Sequence, residues 1–281
     1  MSTLVPPLFA GLVDDASLLP PGIIGFPESR IAHTKHRESW YSGLIGALLV
    51  PASLANPDLS LAGLSVGVVN DTAIGLLPAV VAKLRSAGTQ VGRVEAAVAR
   101  RGEDPQPGLA ALEALATEVA DLDVYAEIPL SWGLLAGLDT VAAQRARGLR
   151  IAPKFRVGGL AAELFPTPVE LAAVICACRD RELPFKLTAG LHHAIRHADP
   201  ETGFTHHGFL NVLVASVAAS DGAEVTDVAE ALAATHPVPL VEPARVCRDQ
   251  PRPLWAGFGA SNVLEPLTEL IRLGLINGGY E

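Results

Sequence analysis

Short runs rich in β-branched and apolar residues alternate along this chain with stretches of helical periodicity, and no other feature constrains the fold as much. The strand-like runs cover residues 8–13, 47–50, 64–69, 91–98, 123–127, 150–156, 184–187 and 254–258. The helix-like stretches cover 30–43, a short segment near 53–62, 75–87, 108–119, 131–147, 167–181, 209–218 with 225–234, and 262–273. Gly88 closes one of them as a C-cap, and Thr167 followed by Pro168 opens another as N-cap and first helical residue. Short connections make each helix cross back over the sheet, so the strands run parallel. Eight such units close on themselves. The expected fold is therefore α/β, a single (β/α)8 TIM barrel over residues 1–281, with an open doubly wound sheet as its rival. The stretch 236–252, with its four prolines, reads as a long connection before the last strand.

Charge and cysteine content narrow the function classes. A net charge of −9 argues against nucleic acid and against an anionic membrane surface. Three cysteines, Cys176, Cys178 and Cys247, make no disulfide framework, and the first two point different ways from one helix. No apolar run reaches the roughly 18 residues that a bilayer span needs. The N-terminal stretch lacks a basic segment before its apolar residues, so it does not read as a signal peptide. The expectation is a cytoplasmic protein whose partner is a small anionic molecule; homo-oligomerisation stays open.

In a barrel, polar groups at the C-terminal strand ends share one mouth. Those ends carry Asp14 and Asp15, Asn70 and Asp71, Glu95, Glu127, Lys154 with Arg156, and Lys186 with Thr188. Strand alternation puts Lys154 and Arg156 on one face, and likewise Lys186 and Thr188. Two lysines on adjacent strands then meet near the mouth. Burial and a neighbouring cation both disfavour an ammonium, so the expectation is a lowered pKa for Lys154. A neutral amine attacks a carbonyl and forms a Schiff base. Against this stands pairing of each lysine with Glu95 or Glu127.

The second half of the chain resembles the class I (Schiff-base) aldolases of the deoxyribose-phosphate aldolase type. The residues that carry the resemblance are Lys154-Phe-Arg-Val-Gly-Gly159, Lys186-Leu-Thr-Ala-Gly190 with Arg196, and Gly257-Phe-Gly-Ala-Ser261 before the last helix. The chain as a whole is also similar to bacterial proteins with no assigned activity. The aldolase resemblance implies a lyase or isomerase for a small anionic carbonyl compound, working without a cofactor. Lys154 would be the nucleophile and Lys186 its pKa partner. Glu127, Glu95, or one of His192, His193 and His207 would move the proton. Arg156, Gly159, Thr188, Asp15 and the turn of Gly257, Gly259 and Ser261 would bind substrate. Arg156 and Val157 stand where the family has small hydroxyl residues, which argues against a phosphate substrate.

Two other readings stand beside this one. His192, His193, His197, His206 and His207, five of the eight histidines, follow the seventh strand and could ligate a metal with Asp14, Asp15 or Glu127 in a hydrolase or lyase. A barrel that binds a small anion without catalysis is the third. Trp40 and Tyr41 with the basic group His33, Lys35, His36 and Arg37 read as a solvated face of the first helix or a subunit contact.

Overall fold

Parallel strands covered by helices must be apolar on their outer face, while their inner face is free to carry something else. The computed structural model describes residues 5–20, 25–55 and 61–278 and shows a closed eight-stranded parallel barrel. Its strands are β1 (Val13–Asp15), β2 (Ile45–Pro51), β3 (Ser65–Val69), β4 (Gln90–Ala97), β5 (Asp123–Glu127), β6 (Ile151–Arg156), β7 (Phe185–Thr188) and β10 (Trp255–Ala260). Each pairs with its neighbours in chain order, and β10 closes on β1. A small antiparallel hairpin, β8 (His197–Ala198) with β9 (Thr205–His206), stands on the loop after β7.

The helices among the described residues are α1 (Phe26–Glu38), α2 (Leu77–Ser86), α3 (Gln106–Glu118), α4 (Leu134–Ala146), α5 (Pro168–Arg179), α6 (Phe209–Ser220), α7 (Val225–Ala233), α8 (Val238–Cys247) and α9 (Leu264–Arg272). The Thr167 cap forms a full capping box with Glu170, so the start of α5 is encoded locally. Outward residues such as Val94, Val124, Phe155, Leu187 and Phe258 are fully buried beneath this helical layer. Burying one such side chain stabilises by about 1.5–3 kcal/mol. Among the described residues, no helix is long and apolar enough to cross a membrane. Cys176, Cys178 and Cys247 are free thiols.

Three elements depart from the expectation. Residues 8–13 do not form the first strand: Pro7–Phe9 is a 3₁₀ turn, Gly11 takes a left-handed φ of 57°, and β1 starts only at Val13. Asp14 and Asp15 therefore lie within the strand and face opposite sides. The proline-rich connection holds α8. Pro239 sits in its first turn, where no donor is needed, and only Pro243 interrupts the interior. The short helix near 53–62 is a 3₁₀ turn at Ala52–Leu54, and residues 56–60 lie outside the described residues.

Candidate active site

The inner face of this barrel is ionic where such interiors are ordinarily apolar. Lys186 on β7 reaches across to Asp14 on β1 and to Glu95 on β4, neither of which is a neighbouring strand, so the contacts cross the interior. Glu95 also pairs with Lys154, 2.9 Å away. Lys154 pairs in turn with Glu127 at 2.9 Å, and Glu127 with Arg156 at 3.0 Å. At the other end Arg93 grips Asp14 at 2.7 Å and 3.0 Å. The result is one line of alternating charge: Arg93, Asp14, Lys186, Glu95, Lys154, Glu127, Arg156. Four cations and three anions share it. Missing side chains make room for this line, because a Cβ at Gly46 would stand 2.0 Å from the Asp14 carboxylate. Arg252 closes the N-terminal end of the barrel by donating to the carbonyls of Leu8, Trp255 and Ala256. Burial lowers its pKa to about 10.

Pairing overrides burial along this line. Burial alone would raise the Glu95 carboxyl, but Lys154 and Lys186 on either side hold it at about 2. Burial alone would lower Lys154, yet Glu95 and Glu127 raise it above the ordinary lysine value. Glu127 stays below its ordinary value, because Lys154 and Arg156 outweigh its burial. This corrects the expectation of a depressed Lys154. The two lysines do share one interior, but Glu95 stands between them and its charge outweighs their repulsion. Tyr125, whose ring lies 5.4 Å from the Lys186 ammonium, is pushed up to about 12 by burial.

The line ends in a cavity of about 1510 Å³ at the C-terminal mouth. Glu95, Glu127, Lys154 and Arg156 line it, together with Gly159, Thr188, Gly259 and Ser261. The loops after β6 and β7 are pressed together there: a Cβ at Gly158 would stand 2.7 Å from the Gly190 backbone. Only glycine fits such an approach.

Other expected site residues are placed elsewhere. Asp15 points outward to α1, where its carboxylate meets His33 at 3.0 Å and accepts from the Ser17 amide; Asp14 is the interior acid of the pair. His33 is accordingly buried rather than on a solvated face. Burial would raise the Asp15 carboxyl, but the His33 and Ser17 hydrogen bonds bring it below its ordinary 3.8. Its contribution to stability is therefore present above that pH and lost as pH falls below it. Asp15→Ala is expected to cost about 1–3 kcal/mol of stability. Urea unfolding should register this loss while ligand binding at the mouth is unchanged. A variant as stable as the parent would contradict the assignment. Asp71 is occupied by Ser53, outside the ionic line.

His207 is buried away from the mouth, with its Nε2 donating to the Pro166 carbonyl at 2.7 Å, and burial lowers its pKa to about 4. His193 pairs with Glu269 at 2.8 Å in a separate shallow cleft. The histidines that do line the mouth are His192 and His206. Among the described residues no three His, Cys, Asp or Glu side chains converge as a metal site, so the histidine-loop metal centre lacks its ligand geometry. Gly257 lies inside β10 at φ 132°, where a Cβ would stand 2.4 Å from the Leu12 carbonyl. The expected anion-binding glycine turn is thus mostly strand. Asn262 already accepts from the first amide of α9.

Sequence reasoning passed over Arg93 and Tyr125, although Arg93 shares the strand parity of Glu95, and that signal was readable. No protein-family model matches the chain, and no curated protein matches it.

Proposed function

We propose that this barrel is a lyase or isomerase acting on an anionic carbonyl compound, with Lys154 as the attacking amine. One observation carries the reading. Lys154 is a buried lysine on the floor of a large mouth, held between two carboxylates, with the Arg156 guanidinium above it half exposed.

In this reading Arg156 binds the substrate carboxylate, since Glu127 accepts from only one side of its fork. Lys154 first gives a proton to Glu127. Its neutral nitrogen then adds to the carbonyl carbon; the oxygen takes one proton from that nitrogen and the other back from Glu127, and leaves as water. The iminium so formed carries the same positive charge as the ammonium it replaces. Glu95 and Glu127 therefore stabilise it in place, and the cost of the step lies in deprotonating the amine. The iminium draws electrons from the adjacent carbon, where Glu127 stands ready to take or return a proton. Lys186 neutralises the other side of Glu95 and so moderates the hold on Lys154.

A non-catalytic anion-binding barrel is the second reading, favoured by the raised pKa of Lys154. Borohydride trapping separates the two. With pyruvate and borohydride the expected result is one reduced adduct per chain, on Lys154 by peptide mapping, and none in Lys154→Met. Labelling spread over lysines such as Lys35 and Lys83, without preference for Lys154, would leave anion binding as the function.

A further inference from the structure

The mouth is far larger than a small carbonyl compound requires. Its 1510 Å³ exceeds the roughly 300–1,000 Å³ of pockets that enclose drug-sized ligands. Its lining is also divided by chemistry. Glu95, Glu127 and Lys154 form its floor, and Arg100, Arg101, Glu163 and Glu170 line it from exposed positions farther out. One wall above the floor is apolar, made by Leu130, Leu134 and Leu135 after β5 and by Leu160, Leu164 and Phe165 after β6. These are the two strands that carry Glu127, Lys154 and Arg156, so the apolar wall rises directly beside the ionic head of the site. Thr188 at the end of β7, His192 after it and Ser261 after β10 add polar groups from the next strands around the barrel.

Two of the wall's leucines are left largely in water: Leu135 is 57% exposed and Leu160 99%. Phe165 is fixed in position by stacking on Phe204 of the β8–β9 hairpin segment, with ring centroids 4.7 Å apart. An apolar wall that continues into a buried ionic floor fits one molecule with two ends.

We infer that the site takes an amphipathic substrate: a 2-oxo acid, or a closely related carbonyl acid, bearing an extended alkyl or aryl tail. Arg156 holds its carboxylate, Lys154 faces its carbonyl, and the tail lies along the Leu130–Phe165 wall. The head rests on the function proposed above, whereas the tail rests on the wall alone.

The test uses the full chain and a straight-chain series: pyruvate, 2-oxobutanoate, 2-oxohexanoate and 2-oxooctanoate, with octanoate as a ligand that lacks the carbonyl. Calorimetry should show affinity rising about threefold per added methylene, close to the transfer free energy of that group. Leu135→Asn combined with Leu160→Asn should flatten the series; both positions are exposed, so the fold survives the change. Octanoate should compete with 2-oxooctanoate and lose affinity in the same double variant. If octanoate behaves in this way while borohydride traps nothing, the tail site stands and the amine chemistry fails. If pyruvate is trapped on Lys154 but affinity stays flat along the series, the amine chemistry stands and the tail site is overturned. Absence of any binding by 2-oxooctanoate and octanoate likewise overturns it.

Discussion

Glu95→Gln is expected to lower the stability of the fold by about 3–5 kcal/mol, the range seen when one partner of a buried ion pair is removed. Glu95 is almost completely buried and is the carboxylate that both lysines share. Its neutral replacement leaves two ammonium groups facing each other in the interior, with only Asp14 and Glu127 at the far ends. The same residue gives the fold an acid-sensitive component. Its carboxyl is held at about 2 against an ordinary 4.5. A lowered value means that the stabilisation is present above pH 4.5 and is lost as pH falls from there through about 2. That span corresponds to something on the order of 3 kcal/mol. Urea midpoints measured from neutral to acid pH should show this component in the parent and not in the variant. A loss below about 1 kcal/mol at neutral pH would mean that the interior rearranges or admits water.

Reductive labelling of Lys154 is expected to rise about tenfold per pH unit, about a hundredfold from pH 7 to 9, because the amine is ionised throughout that window. The sign follows from the raised lysine. Its ammonium is the favoured form, stabilising the fold below the ordinary value of 10.5, and this contribution is lost only as pH rises through the still higher folded value. The neutral amine is a small fraction that grows in proportion to pH. Glu127→Gln removes the base that takes the Lys154 proton, and should lower the whole profile by about a hundredfold. The measurement is the initial rate of adduct formation with pyruvate, trapped by cyanoborohydride and read by intact mass. A profile that levels off near neutrality would show a depressed lysine and contradict the ion-pair geometry. A profile that rises equally in Lys154→Met would place the reaction on surface lysines.

Strand number, strand polarity and the covering helices were legible in the residues themselves, because they depend on local periodicity and on caps such as Thr167 with Glu170. So was the meeting of Lys154 with Lys186, since parity on adjacent parallel strands decides which faces agree. What stands between them was not legible. Glu95 comes from β4 and Asp14 from β1, and only closure of the barrel carries their side chains to the same point. The sign of the lysine's shift depended on that contact, and a neighbouring cation read from sequence pointed the wrong way. The first strand runs over Val13–Asp15 and not over residues 8–13, which turns Asp14 into the barrel and Asp15 to His33. The histidine segment was visible as composition, but its hairpin turned His192 and His206 toward the mouth and sent His193 and His207 to partners elsewhere. Periodicity and capping act over a few residues and are written in the chain. Electrostatics acts through space, so the charge state of this interior was decided only when distant strands closed around it.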